Sequence, residues 1–329
     1  MQDFNIRSRH WLIATLSALA FVCILSGYFW LANNKPISIA ANVWLGYEPM
    51  FMARNEGWLN KDQVRLVETK SVAASLKALA DGEVDGAALT LDEVLKARVT
   101  GLPLSVVMVF NVSAGADMLV VKPNIKNLSD LRGKRIGVEE SSVGEVMLSE
   151  ILQQAGLTKQ DVTLVKVPVD NQVDAWARNQ VDAAITYEPV ASQLLAQHAV
   201  KIFDSRQIPN TIVDVLVMRS DKLDHGHVSA LRHLISAHFR ALAHLTHNPQ
   251  DTAYRMATHL GLPASGVLEA YRGLLLPDAD NNFRLLSGQN PKLGDTARKL
   301  SNVMVKANLL KKNDTLAALI NADFLPTDF

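Results

Sequence analysis

Short apolar runs alternate with amphipathic helical patterns from residue 37 onward, and this alternation restricts the fold more tightly than any single motif. The first series predicts strand 37–43 (ISIAANV), helix 49–60, strand 64–68 (VRLVE), helix 71–82, strand 86–90 (GAALT), helix 91–101 and strand 104–110 (LSVVMVF). Ser71 is placed to cap its helix and Gly82 to close it. A second series follows NVSAGADMLVV (111–121): strand 135–138 (RIGV), helix 142–155, strand 162–167, helix 170–179, strand 182–186 (DAAIT), helix 190–198 and strand 200–204. Consecutive strands separated by a helix return in the same direction, so both series predict mostly parallel, doubly wound α/β sheets. TIVDVLVMRSD (211–221) reads as a strand leaving the second series, and residues 222–329 are mostly helical. Two lobes are therefore expected, 37–112 plus 215–329 and 117–211, joined by a two-stranded hinge that creates a cleft.

Composition limits the partners. The 329 residues carry a formal net charge of +0 and are 48% hydrophobic, which permits a large core and argues against nucleic acid as a partner. The single cysteine, Cys23, excludes an intrachain disulfide and a thiolate zinc cluster. Residues 11–32 contain no charge and follow Arg7, Arg9 and His10. As a helix this run spans about 33 Å, enough for a bilayer core of ~30 Å, with Trp11 at one end and Tyr28 and Trp30 at the other. Its length favours an uncleaved anchor over a cleaved signal peptide. Residues 1–33 are thus expected to hold a cytoplasmic stub and a transmembrane anchor, with the bulk on the periplasmic side of the inner membrane.

One corner concentrates chemistry. Trp44, Gly46, Tyr47, Glu48 and Pro49 crowd the turn after the first strand, and Pro49 suits a first helical turn. Read locally, this is either an ordinary strand-to-helix corner with its aromatics in the core, or the mouth of a site. In the second reading, the free N–H groups of the following turn receive a negative ligand group.

Five segments occur in one order: WLGYEPMFMARNEGWL (44–59), DGEVDGAAL (81–89), NLSDLRGKRIGVEESSVGEVML (127–148), NQVDAAITYEPVASQLL (179–195) and DFLP (323–326). Together they resemble the nitrate/sulfonate/taurine-type substrate-binding proteins of ABC importers over about residues 37–329. Leu128, Leu131, Gly133, Lys134, Ile136, Gly137 and Val138 match a pattern common to that broad fold, and the paired GYEP and TYEP boxes narrow it to this branch. The resemblance implies a type II periplasmic binding protein fold and makes the Trp44–Pro49 corner a wall of the ligand cleft.

The other strand-end corners then become candidates. Thr90 is placed for a ligand hydrogen bond and Asp92 for a helix cap; Ser141 and Ser142 open a helix with Glu145 completing a capping box, and either cap it or offer hydroxyl and free N–H groups to a ligand. Tyr187 and Glu188 mirror Tyr47 and Glu48, and the two glutamates are expected either to favour their helix ends or to face the cleft. Facing it, they reject a bare anion and, with the aromatics, favour a cationic or zwitterionic head group. Asp117 and Asp214, at the two crossovers, are further acidic candidates or serve to order the hinge strands.

The chain contains no G-x-S-x-G, H-E-x-x-H or phosphate-loop spacing, and its histidines (His225, His227, His233, His238, His244, His247 and His259 among them) lack a metal motif. The expectation is a monomeric, cofactor-free binding protein that delivers a small polar solute to an ABC permease and ATPase. A membrane-anchored sensor coupled to a signalling protein is the rival reading, and an enzyme related to pyrimidine-precursor synthases a weaker one.

Overall fold

The computed structural model describes Phe21 and residues 35–139 and 142–326. The expected span at 11–32 lies outside the described residues apart from Phe21, and no described helix is long and apolar enough to cross a membrane.

The first series folds as β1 (Ile37–Asn42), α1 (Glu48–Asn55), β2 (Val64–Thr69), α2 (Val72–Asp81), β3 (Gly86–Thr90), α3 (Leu91–Val99) and β4 (Leu104–Ser113). The second contains β5 (Asp117–Val121), β6 (Arg135–Val138), α4 (Ser142–Ala155), β7 (Thr163–Lys166), α5 (Gln172–Ala177), β8 (Ala183–Tyr187), α6 (Val190–Ala196) and β9 (Val200–Asp204). The chain returns through β10 (Val213–Arg219) to α7 (Val228–His247), α8 (Pro249–Leu260), α9 (Ala264–Tyr271), β11 (Leu274–Leu275), α10 (Ala279–Leu286) and α11 (Lys292–Lys306).

Local signals act as physical chemistry requires. The Ser71 hydroxyl accepts the Ala74 N–H at 3.2 Å, and Gly82 ends α2 in the left-handed region at φ 76°. Helix α1 stops short of the expected residue 60. Gly57, at φ 71°, lets its own N–H and that of Trp58 fold back onto the Arg54 and Ala53 carbonyls.

The sheets are mixed, which corrects the expectation of mostly parallel ones. Their orders are β11-β4-β10-β3-β1-β2 and β7-β6-β8-β5-β9. β1 is parallel to β2 and β3, and β6 to β7 and β8. β10 runs antiparallel to β3 and β4, and β5 antiparallel to β8 and β9. The reason is topological. α-Helical crossovers do return strands in parallel, but β5 and β10 arrive from the other lobe without an α-helix, and each inserts backwards between two strands of its new sheet.

Apart from β11 the two sheets have the same plan, β4-β10-β3-β1-β2 against β9-β5-β8-β6-β7. This places the carboxyl ends of β1, β3, β6 and β8, and the first residues of β5 and β10, at one interface, where an open α/β sheet offers a ligand site. The crossovers are tied together there. The buried Ser113 and Ser205 hydroxyls lie 2.8 Å apart, and the Gly115 N–H donates to Ser205 Oγ at 2.7 Å. One continuous core surrounds the first sheet, whereas the second carries a separate cluster on each face.

Candidate ligand-binding site

Where the strand ends converge, the lobes enclose a chamber of about 20 Å³ whose walls include Asn42, Trp44, Tyr47, Thr90, Asp117, Tyr187 and Asp214. A second chamber of about 10 Å³ shares Asp117, Val143 and Tyr187 and adds Glu139 and Thr186. The lobes meet across them: the Trp44 and Tyr187 rings pack edge to face at 5.4 Å, and Lys96 Nζ on α3 lies 3.6 Å from Glu145 Oε2 on α4. A larger hollow of about 410 Å³ lies on the first lobe beside Arg98, Leu102 and Asp314, away from the strand ends. Chemistry rather than volume therefore marks the site.

Tyr47 and Asp214 are buried, and Tyr47 Oη donates to Asp214 Oδ1 at 2.6 Å. Asn111 Nδ2 donates to Asp214 Oδ2 at 2.7 Å, and Trp44 Nε1 donates to Asn111 Oδ1 at 3.0 Å. Asp214 pairs with Thr90 in the β3–β10 register, and Asp117 with Tyr187 in the β5–β8 register. The two aspartates are thus equivalent positions, one at the start of each inserted strand.

Burial pushes the Asp117 carboxyl up to about 7, aided by Asp92 and Glu188 and only partly offset by the Ser113 hydroxyl. Burial pushes Asp214 up to about 8; its bonds from Tyr47 and Asn111 oppose the rise, and Asp117 and Asp92 add to it. Glu93 is likewise raised by burial and then by Asp92. Asp117 Oδ2 is buried with no hydrogen-bond partner. Among the described residues lining the two chambers there is no lysine, arginine or histidine. Buried carboxylates without a basic neighbour favour protonation or a cation.

Six of the residues singled out in the sequence line the first chamber: Trp44, Tyr47, Thr90, Asp117, Tyr187 and Asp214. Gly46 serves packing instead, since a Cβ there would fall 1.7 Å from Asn111 Oδ1 and 2.8 Å from Trp44 Nε1. Glu48 and Glu188 line neither chamber. Buried Glu48 accepts from His259 Nδ1 at 2.6 Å on α8. Glu188 turns onto its own helix, accepting the Ser192 N–H and hydroxyl at 3.0 Å each, and lines a separate hollow with Lys201 and Arg206. Thr90 is the N-cap of α3 and Asp92 lies in its first turn. Ser141 lies outside the described residues, and of Ser142 the structure describes only its place at the start of α4.

The anion-receiving turn expected after Trp44 is not formed. The Tyr47 and Glu48 N–H groups both donate to the Trp44 carbonyl, those of Met50 and Phe51 donate to the Tyr47 carbonyl, and Pro49 has none. Asn111, Asn42, Val143 and Ile212 escaped notice in the sequence. Asn111 carried a usable signal, because an amide inside LSVVMVFNV interrupts a strand that is otherwise apolar from Val106 to Phe110.

The NMT1/THI5-like family model matches residues 45–252. The taurine-binding periplasmic protein of Escherichia coli (strain K12) is 27% identical over 222 residues, which cover 66% of each chain, so the match spans just under two thirds of that relative. A putative aliphatic sulfonates-binding protein of the same organism is 25% identical over 255 residues, 75% of this chain and 79% of its own. The alkanesulfonate-binding protein of Xanthomonas axonopodis pv. citri, solved bound to MOPS, superposes with a TM-score of 0.72 at 18% identity, over 88% of this chain and 99% of that one. The family match covers well over half of the chain and the superposition covers both lobes: the protein belongs to the NMT1/THI5-like family, in the nitrate/sulfonate/taurine-type branch, and has the type II periplasmic binding protein fold.

Proposed function

We propose that the chain is the substrate-binding component of an ABC-type importer, and that it captures a small amine-bearing or zwitterionic solute, such as an aminosulfonate, between its lobes. The observation that carries this reading is the pairing of Asp117 and Asp214, one from each lobe, on an aromatic-walled chamber whose described lining includes no basic side chain. A ligand ammonium offers what these carboxylates lack: charge-assisted hydrogen bonds to both lobes, and attraction to the Trp44, Tyr47 and Tyr187 faces. The anionic end of a zwitterion would rest on neutral donors such as the Thr90 and Thr186 hydroxyls.

A chamber of about 20 Å³ has room for about one water, so an organic solute enters by opening of the lobes. Trp44–Tyr187 and Lys96–Glu145 are among the contacts that must part. The relatives named for taurine and alkanesulfonates support the sulfonate class, and the acidic chamber supports the amine within it. The uncharged run at 11–32 completes the reading by anchoring the protein on the periplasmic face of the inner membrane, where it meets a permease. Membrane fractionation with N-terminal sequencing tests the anchor; a soluble mature protein beginning between residues 33 and 41 refutes it.

Thermal-shift measurement across amines, amino acids, aminosulfonates and oxyanions tests the ligand class. Stabilisation by taurine and not by its amine-free analogue 2-hydroxyethanesulfonate is expected. Stabilisation confined to bare oxyanions contradicts the proposal.

A further inference from the structure

Asn111 is fully buried in β4, and both ends of its amide are used. Its orientation follows from donor chemistry. The Trp44 indole N–H can only donate, so the atom facing it must be the Asn111 oxygen, and the Asn111 amide nitrogen is then turned toward Asp214. Asp214 Oδ2 is thereby fixed as an acceptor, and any proton on this carboxyl must sit on Oδ1, beside the Tyr47 hydroxyl.

Two features of the backbone serve this arrangement. Asn111 lies opposite Asp214 in the β4–β10 register, which shifts immediately afterwards so that Val215 faces Val109. The shift leaves Phe110 unmatched and breaks the alternation of faces, so Phe110 packs on the Tyr47 ring at 4.9 Å while Asn111 reaches both Trp44 and Asp214. Gly46 leaves the space in which Asn111 Oδ1 sits, because a Cβ at that position would lie 1.7 Å from it.

We propose that Asn111 is a positioning residue of the cleft, which couples the charge on Asp214 to the aromatic wall at Trp44 and so sets the preference for a positive ligand group. Hydrogen bonds in series polarise one another, so ionising Asp214 strengthens the Asn111 bond and, through it, the Trp44 bond. Titratable groups acting on Asp214 are Tyr47 from the α1 corner, Asp117 from β5 and Asp92 from α3, and the described residues lining the chambers include no base. A cation arriving at Asp214 therefore changes the charge that Trp44 senses, and a neutral or anionic ligand does not. The selectivity part of this inference rests on the proposed capture of an amine; the coupling part stands on the geometry alone.

The test uses the purified full chain labelled with nitrogen-15, whose five tryptophans each give one indole signal, with Trp44→Phe to assign the relevant one. In the wild type the Trp44 indole resonance is expected to move with pH, with the midpoint of Asp214. Asn111→Leu is expected to shift that resonance toward a non-bonded position and abolish its pH response, with the remaining indole signals in place. If that variant does not fold, the shape-matched Asn111→Asp decides: it sets two carboxyls side by side, and the single titration should split into two steps. A Trp44 resonance that keeps its position and its single midpoint in a folded variant overturns the coupling.

Selectivity is read separately, as the affinity ratio of taurine to 2-hydroxyethanesulfonate. Asn111→Asp is expected to change this ratio at least tenfold between pH 5.5 and pH 8.5, against a smaller change in the wild type. An unchanged ratio with only a lowered melting temperature makes Asn111 structural. If the wild type binds neither probe, the ligand reading fails, while the indole titration still judges the coupling.

Discussion

Tyr47-Glu48-Pro49 leaves β1 and Tyr187-Glu188-Pro189 leaves β8, and the same three residue types enter different environments at the two corners. Tyr47 is buried in the chamber wall and holds Asp214 through its hydroxyl, whereas Tyr187 packs edge to face with Trp44 across the cleft. Glu48 is buried against His259 of α8, while Glu188 folds back on Ser192 of its own helix. The shared sheet plan explains the divergence. β1 corresponds to β6, and β8 corresponds to β3, so the topological partner of the TYEP corner is the Thr90–Glu93 corner and not GYEP. Repetition of a short motif suggests symmetry here, but strand order assigns the roles.

This difference can be broken most forcefully at the residue before each tyrosine. Gly46→Ala drives a methyl into Asn111 and is expected to cost about 3 kcal/mol or more, at or beyond the upper end of typical overpacking penalties. Thr186→Ala, at the other corner, should cost under about 1.5 kcal/mol. Urea unfolding midpoints measure both, and equal losses would mean the corners are interchangeable after all.

The glutamates sharpen the contrast. Glu48→Gln removes a buried partner of His259, whose imidazole is held above its ordinary range chiefly by that hydrogen bond, and should cost about 1–3 kcal/mol of stability. Glu188→Gln keeps an oxygen acceptor for the neutral Ser192 groups of its own helix and should cost about 0.5–1 kcal/mol. Because neither carboxylate lines the chambers, ligand affinity should hold within a factor of about two in both. A tenfold loss of affinity in Glu188→Gln would return that residue to the ligand.

Much of this was legible in the sequence, for reasons that vary by element. β6 and α4 lie at 135–138 and 142–155 as the periodicity predicts, because a buried strand and an amphipathic helix carry their patterns locally. The capping of α2 by Ser71 was legible for the same reason. Sheet direction was not, because whether β5 and β10 enter backwards depends on which lobe they come from. Nor was the aim of Glu48, which is decided by His259, a residue 211 positions away. Asp117 and Asp214 could be read as acidic residues at crossovers, but their equivalence became visible only when each was paired in register with a strand end of its own sheet.

A smaller effect concerns pH. Asp117 and Asp214, raised from 3.8 to about 7 and about 8, keep protons in the folded state that the unfolded chain releases near pH 4. Their contribution to stability is therefore full below about pH 4 and is lost as pH rises through 7 and 8. His259, also raised, acts in the same direction. His238, which burial lowers from 6.5 to about 3, opposes them only as pH falls below 6.5. Between pH 6.5 and 8.5 the melting temperature should fall by on the order of 5 °C, and the fall should shrink in Asp214→Asn. A rising melting temperature over this interval would mean that the two carboxyls are not held protonated.

The central claim is that the two equivalent aspartates together receive a positive ligand group. Calorimetric titration at pH 7.5 with the best amine found in the thermal-shift panel tests it most directly, comparing the wild type with Asp117→Asn and Asp214→Asn. Loss of a charge-assisted bond costs about 1.5–3 kcal/mol, so each variant should bind about 10-fold to 150-fold more weakly, with its indole spectrum still that of a folded chain. Unchanged or tighter binding in either variant, or a wild type that prefers an amine-free sulfonate or nitrate, would contradict the account.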